Sequence, residues 1–325
     1  MTELLDIDKL VVRYRALRGW RALLVPSAQR HIDAVIDATL SIARGETYGL
    51  VGESGSGKTS LARAIVGLVP HHSGTIRLRG QVLGELSERA LRPVRREIGM
   101  MFQDPVASLS PRRTVASLIT EPFHIHRLRP ADLAAEARRL ITMVGLDARF
   151  LGLYPHQLSG GQARRVGAAR ALALNPAMVI ADEPTAGLDV SVQGEILNLL
   201  TSLRVRHGMG FLIVTHNLPV IRHISDRIGV MYLGRLVEQG PTRDIFHRPA
   251  HPYTAGLIAA IPQPDPDRRR DAPPLEGEVP SLRNRPSGCE FHTRCRFATS
   301  RCSAEAPAWR ALDALRGVRC HMPLV

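Results

Sequence analysis

The sequence predicts an α/β fold: a largely parallel sheet covered by helices, followed by a small cysteine-bearing module. Three observations predict it. Apolar runs of strand length alternate with segments of helical spacing along most of the chain. The apolar run 47–51 leads into Gly52-Glu53-Ser54-Gly55-Ser56-Gly57-Lys58-Thr59 and then into residues 60–66, the order strand, glycine loop, helix. Cys289, Cys295, Cys302 and Cys320 are the only cysteines, and all lie near the end of the chain.

Taken in order, residues 10–14, 34–36 and 47–51 read as short strands. An irregular loop with Arg18, Gly19, Trp20, Arg21 and Pro26 lies among them. A strand over 75–78 follows the first helix, and 98–102 reads as a buried strand. From about residue 105 to 166 the pattern turns helical; Leu133, Ala137, Leu140, Ile141 and Val144 recur at helix spacing. Strand 178–181 then leads to helix 190–206, and strand 211–214 to helix 218–225. Strands 228–232 and 235–238 close the sheet. Pro262, Pro264 and Pro266, then Arg268 to Arg270 and Pro273-Pro274, predict an exposed linker. The expected organisation is one domain over 1–260, with its helical subdomain at about 105–166, and a linker plus small module over 261–325.

With 325 residues and 44% hydrophobic content, the chain has enough apolar surface for a substantial core. No stretch approaches the roughly 20 apolar residues of a membrane span. The start of the chain lacks the basic and apolar regions of a signal peptide, so a cytosolic protein is expected. Net charge is +13, almost all from arginine, since Lys9 and Lys58 are the only lysines. Such basicity suits nucleic acid or an anionic membrane surface. The arginines are dispersed, however, and 4% aromatic content offers few stacking platforms, which favours a solvated surface.

Residues 52–59 match the phosphate-loop pattern G-x-x-x-x-G-K-[ST] at every fixed position. Glycines let backbone N–H groups turn inward on phosphates, and the helix start adds its positive dipole end. Lys58 brings a full charge to the β- and γ-phosphates, and the Thr59 hydroxyl suits Mg²⁺; Ser60 completes this phosphate-side set. The strand 178–181 ends in Asp182 and Glu183. Asp182 suits the Mg²⁺ ion, directly or through water, and Glu183 suits a water in line with the γ-phosphorus. Gln103 and His216 end two further apolar runs, where ligands bind in parallel α/β folds. Leu158-Ser159-Gly160-Gly161-Gln162 opens another helix, with Ser159 as its expected N-cap, and makes a second anion-binding terminus.

These motifs together resemble the nucleotide-binding subunits of ATP-binding cassette (ABC) transporters, in family order over residues 10–240. Residues 52–59 are similar to the Walker A motif, 178–183 to Walker B and 158–162 to the signature motif. Gln103 is similar to the Q-loop glutamine, Asp189 to the D-loop aspartate and His216 to the switch histidine. The resemblance implies a P-loop cassette with a mixed, RecA-like sheet core and a helical subdomain. It implies catalytic roles for Glu183, His216 and Gln103, with Gln103 also beside Mg²⁺. Tyr14 is the first candidate to stack on adenine, and Trp20 is its rival. It further implies head-to-tail pairing, each ATP held between the phosphate loop of one cassette and Ser159, Gly160, Gly161, Gln162 and Asp189 of the other.

A narrower resemblance, to the oligopeptide/dipeptide importer ATPases, covers nearly the whole chain. It is carried by residues 53–57, 102–105, 188–193 and 251–254, and by the tail from Leu275 to His292. Ala186, Thr293 and Arg296 depart from that pattern. This resemblance implies two separate transmembrane permeases, a second and related ATPase subunit, an external substrate-binding protein acting indirectly, and a peripheral place on the cytoplasmic face of the inner membrane. No nucleic acid is expected. The alternative is a soluble ABC ATPase acting on nucleic acid or ribosomes, for which no tandem cassette or DNA-binding insert is visible.

The four cysteines are spaced C-x5-C-x6-C-x17-C. A reducing cytosol disfavours disulfides, and no C-x-x-C pair matches a zinc ribbon. Four thiolates also suit a [4Fe–4S] cluster, which the importer resemblance favours. Zinc, free thiols and disulfides stay open as alternatives.

Overall fold

A computed structural model of the chain describes residues 3–15, 31–104, 107–262 and 275–325. The elements begin with strands β1 (Glu3–Arg15), β2 (His31–Ala43) and β3 (Thr47–Val51), then helix α1 (Lys58–Ile65) and strands β4 (Ser73–Leu78) and β5 (Gln81–Val82). Helix α2 (Glu88–Val94) precedes β6 (Ile98–Met101), and three helices follow: α3 (Val115–Ile125), α4 (Leu133–Met143) and α5 (Gly160–Leu172). The chain continues with β7 (Met178–Asp182), α6 (Val190–His207), β8 (Gly210–Val214), α7 (Leu218–Ile224), β9 (Arg227–Tyr232) and β10 (Arg235–Pro241). Helices α8 (Thr242–His247), α9 (Pro252–Ala259) and α10 (Ser300–Ala304) and two-residue strands β11 (Arg310–Ala311) and β12 (Gly317–Val318) complete it.

Two compact units result. One comprises residues 1–5, 42–47 and 77–214; the other comprises 6–41, 48–76 and 215–325.

In the first unit β6, β7 and β8 form a parallel ladder. Ile98 pairs with Met178, Met178 with Gly210, and Asp182 with Val214. Every residue of β7 and β8 is buried. That explains their continuous apolar sequence, because a parallel strand is covered on both faces. Each fully buried Ile, Leu or Phe contributes about 1.5–3 kcal/mol. Helices α3, α4 and α5 pack on one another. Their inward side chains Leu118, Ile119, Ala137, Leu140, Ile141 and Val166 are buried, as the helical spacing requires, and so is Val144 just after α4. Thr114 and Asp132 cap α3 and α4 through bonds from Ser117 N and Ala135 N.

In the second unit β3 runs parallel to β9, with Tyr48 opposite Arg227 and Val51 opposite Val230. Strand β10 turns back antiparallel on β9, with a register shift between Leu236 and Glu238. The tail adds β12 antiparallel to β10, and β11 antiparallel to β12. Residues 275–325 therefore share a sheet with β9 and β10. The buried Glu238 carboxylate secures this arrangement: it accepts bonds from Ala250 N at 2.7 Å, His251 N at 2.9 Å and Arg316 Nη2 at 3.1 Å. A buried charge needs such partners.

The first two strands are longer than the sequence alone suggests, 13 residues each. Aspartates interrupt their apolar pattern, yet Leu4, Leu5, Ile7, Leu10 and Val12 are all buried. Helices α2, α8 and α9 lie where no helix was expected; they are 7, 6 and 8 residues long, too short for a clear period. Trp20 and residues 263–274 of the expected linker lie outside the described residues.

Candidate functional site

The phosphate loop lies in the second unit, between buried β3 and α1. Its lysine is buried, and Nζ donates to Gly52 O at 2.8 Å, Glu53 O at 2.9 Å and Ser56 Oγ at 3.2 Å. The backbone thus curls around the ammonium of Lys58 and holds it with charge-assisted bonds. Ser56 N donates to Glu53 O at 3.2 Å, and Gly234 N donates to Ser56 O at 2.8 Å. These bonds fix the loop between its own turn and the β9–β10 hairpin.

Two glycines are required by this geometry. Gly57 has φ of 101°, and a Cβ there would run into the Ala34 carbonyl oxygen; at Gly52, φ is 153° and the obstacle is the Met231 carbonyl oxygen. Gly57→Ala is expected to destabilise the chain by about 2 kcal/mol or more, since strain and backbone displacement add. Thermal denaturation measures this, and an unchanged midpoint would contradict the loop geometry.

Tyr14 belongs to the same unit. Its hydroxyl donates to Ser60 Oγ at 3.2 Å, so the half-buried ring lies beside the first turn of α1. His216 follows buried Thr215 in this unit and is exposed. Asn217 caps α7 through a bond from Val220 N at 3.2 Å, which sets the backbone just after His216.

Below the loop lies an aromatic platform. Tyr253 Oη accepts from Glu53 N at 2.9 Å, and the Tyr253 ring packs on Tyr232 at 4.7 Å and Phe291 at 5.4 Å. His251 joins Phe291 at 5.7 Å, and its Nδ1 accepts from Tyr253 N at 3.0 Å. Complete burial pushes the His251 pKa down to about 3. The folded chain keeps this ring neutral, while the unfolded chain takes up a proton near pH 6.5. Stability is therefore fully present above about pH 6.5 and declines as pH falls toward about 3. Denaturant midpoints taken from about pH 7 to 5, above the main carboxylate range, are expected to fall. A flat profile there would contradict the neutral ring.

The first unit carries the acids and the second helix terminus. Asp182 and Glu183 are both buried. Glu183 has φ of 51°, the left-handed region that a non-glycine residue enters only when surroundings hold it there. Two contacts do so. Glu183 N donates to Val214 O at 2.8 Å, and Arg164 Nη1 donates to Glu183 O at 2.9 Å. Arg164 Nη2 also donates to the Ala186 carbonyl. Arg164 is buried, and desolvation lowers its pKa from the usual arginine range. Sequence reasoning missed this residue; its only signal is an arginine beside Ala163 and Val166 on the buried face of α5.

Ser159 caps α5 as the sequence predicts. Its Oγ accepts from Gln162 N at 3.3 Å, while Gln162 Oε1 accepts from Ser159 N at 2.9 Å, a reciprocal capping box. Gly160 is exposed and Gly161 half-buried at this helix start. Asp189 Oδ1 caps α6, accepting from Val192 N at 2.9 Å and Ser191 Oγ at 2.7 Å. The Val192 amide, then the Ser191 hydroxyl, hold its carboxyl below the usual carboxylate range. Gln103 is exposed just past β6, next to exposed Phe102.

Thr59 in the second unit carries a hydroxyl and Asp182 in the first a buried carboxylate, each a hard oxygen donor of the kind Mg²⁺ takes. The cysteine reading fares differently. Cys289, Cys295, Cys302 and Cys320 line one cavity of about 10 Å³. Yet no group of three or more His, Cys, Asp or Glu among the described residues is arranged to hold a metal ion. Burial pushes the Cys289 thiol up to about 12 and raises Cys295 and Cys320 as well. Without such an arrangement among the described residues, the structure gives the [4Fe–4S] or zinc reading no support.

Comparison with known proteins agrees with the motif order. The ABC transporter family matches residues 35–186, and the oligopeptide/dipeptide transporter C-terminal region family matches 237–302. A probable peptide ABC transporter ATP-binding protein of Sinorhizobium fredii is 44% identical over 98% of this chain and 90% of its own length. The oligopeptide transport ATP-binding protein OppF of Salmonella typhimurium is 43% identical over 94% of this chain and 92% of its own. Among solved structures, the ATP-binding cassette MJ0796, dimeric and bound to ADP and Pi after hydrolysis, is 30% identical. It matches with a TM-score of 0.64 over 74% of this chain and 99% of its own.

Proposed function

This chain belongs to the ABC transporter ATP-binding family, in its oligopeptide/dipeptide branch, and from that premise we propose how its residues divide the work. It is the ATP-hydrolysing subunit of a peptide import system. One observation carries the reading: a buried lysine held by the carbonyls of its own glycine loop at a strand–helix junction.

Gly52 to Ser60 hold the phosphates, Lys58 the β- and γ-oxygens, and Thr59 and Asp182, with Gln103, the Mg²⁺ ion that offsets developing charge. Glu183 acts as base toward the attacking water, and His216 contacts the γ-phosphate. Tyr14 stacks on adenine. Ser159, Gly160, Gly161, Gln162 and Asp189 face the nucleotide of a second, related ATPase subunit. The dimeric state of the solved cassette, holding ADP and Pi, supports that pairing. ATP joins the two cassettes and hydrolysis releases them, so nucleotide state becomes mechanical state.

No helix among the described residues is long and apolar enough to cross a membrane. By its likeness to the oligopeptide transport ATP-binding proteins, transport runs through separate permeases, two in this proposal, with the helical subdomain at about 105–166 as their docking region, residues 261–325 as linker and C-terminal module, and an external binding protein delivering cargo. The chain sits peripherally on the cytoplasmic face of the inner membrane. For the four cysteines a [4Fe–4S] cluster, or zinc, stays a proposal resting on the tail's resemblance to the importer ATPases; iron, sulfide and zinc assays of anaerobically purified protein decide it.

The test is capture from native membranes in the presence of Mg-ATP. The expected companions are two polytopic permeases and a related ATPase. Recovery of ribosomes or DNA in their place would overturn the reading in favour of a soluble ABC ATPase, which none of these relatives supports.

A further inference from the structure

We propose that Arg294 is a positioning residue for nucleotide binding: it neutralises and orients Glu53, the acid inside the glycine loop, and so keeps that loop's field positive for phosphate. The inference rests on the reading of residues 52–59 as an ATP site.

The loop carries a carboxylate at its second position. A negative charge there repels a polyphosphate and competes for the ammonium of Lys58. The second unit contains the answer. Arg294 meets Glu53 with two nitrogens, Nη1 to Oε2 at 2.7 Å and Nη2 to Oε1 at 3.0 Å. The Arg294 side chain is 4% exposed and that of Glu53 is 26% exposed, so this is a shielded, bidentate pair.

The arginine is itself anchored. Its Nε donates to Glu276 O at 3.0 Å, and the guanidinium stands 5.9 Å from the Tyr232 ring centre. Its hydrogen bonds to Glu53 raise its pKa further, so it stays charged. Glu53 is held at three points: the carboxylate by Arg294, the amide N–H by Tyr253 Oη and the carbonyl by Lys58. Two of these holds come from helix α9 and the C-terminal region, about 200 residues or more away in sequence. The C-terminal region thus contributes charge balance to the phosphate loop without lying in its sequence. Without Arg294, the Glu53 carboxylate is free to turn toward Lys58 or to face the incoming phosphates. Both weaken binding, and neither alters the group that attacks phosphorus.

The experiment is Mg-ATP calorimetry and steady-state hydrolysis with the full chain and its Arg294→Met variant. Affinity is expected to fall on the order of tenfold, with KM rising similarly and kcat within about twofold. In the Arg294→Met, Glu53→Gln double variant the acid is gone while the backbone N–H and C=O of residue 53, the groups through which it takes part in the loop, are kept, and affinity returns to within about threefold of wild type. Unchanged affinity in Arg294→Met overturns the proposal. So does a loss that Glu53→Gln fails to relieve, because a purely structural arginine would behave that way. Should Arg294→Met not fold, Arg294→Gln is judged by the same two criteria. A wild-type chain that binds no Mg-ATP would overturn the ATP-site reading and this proposal together; equal binding by wild type and variant overturns this proposal alone.

Discussion

Glu183→Gln is expected to lower ATP turnover on the order of a thousandfold while Mg-ATP stays bound. The substitution keeps the size and planar shape of the side chain. It also keeps the backbone contacts that hold residue 183 in its left-handed conformation, the bond to Val214 O at 2.8 Å and the Arg164 bond at 2.9 Å. What is lost is the negative charge and the capacity to take a proton from water. Ground-state affinity comes from the phosphate loop and is left in place, so the defect falls on kcat. With chemistry blocked and ATP retained, the paired cassettes stay closed, and size-exclusion chromatography of the variant with the related ATPase subunit in Mg-ATP is expected to show a trapped dimer. Phosphate release measured beside fluorescent-nucleotide binding separates the two effects. Turnover near the wild-type rate would mean that another group activates the water.

Lys58→Ala produces the complementary result: ATP affinity falls on the order of a hundredfold, and hydrolysis disappears with it at ordinary substrate concentrations. The ammonium is buried and donates to Gly52 O, Glu53 O and Ser56 Oγ. Charge-assisted bonds of this kind contribute about 1.5–3 kcal/mol each. Alanine removes the cation that phosphate oxygens meet and also leaves two loop carbonyls without a donor. The effect is thus larger than loss of one surface charge. Equilibrium binding of ATP reports it, and affinity within a few-fold of wild type would remove Lys58 from the phosphate-binding role. Together the two variants separate the site into a binding half and a chemical half.

The site was legible in the sequence to the extent that its parts are local. The glycine loop reads correctly because positive φ, a preceding buried strand and a following helix are all properties of residues 47–66. Ser159 and Gln162 read correctly as a helix start because a capping box spans only four residues. The strands at 178 and 210 were plain, since burial on two faces imposes continuous apolar sequence. Helix α2, with Ser87 as its cap, was missed because seven residues are too few to display a period. The cluster expected at the cysteines came from family resemblance and not from local chemistry; the four thiols line one cavity, and no metal-holding group is found among the described residues.

Local chemistry along this chain therefore prescribed where the glycine loop turns between strand and helix, which strands are buried and which family the motifs belong to. Partnerships across long stretches of chain came from folding. Arg294 reaches Glu53 over 241 positions, Tyr253 reaches it over 200, and Arg164 clamps Glu183 from 19 away. The reason is physical. Backbone torsions, caps and hydrophobic periods act over a few residues, whereas a buried arginine acquires its partner only when packing removes water and leaves one carboxylate or carbonyl within reach.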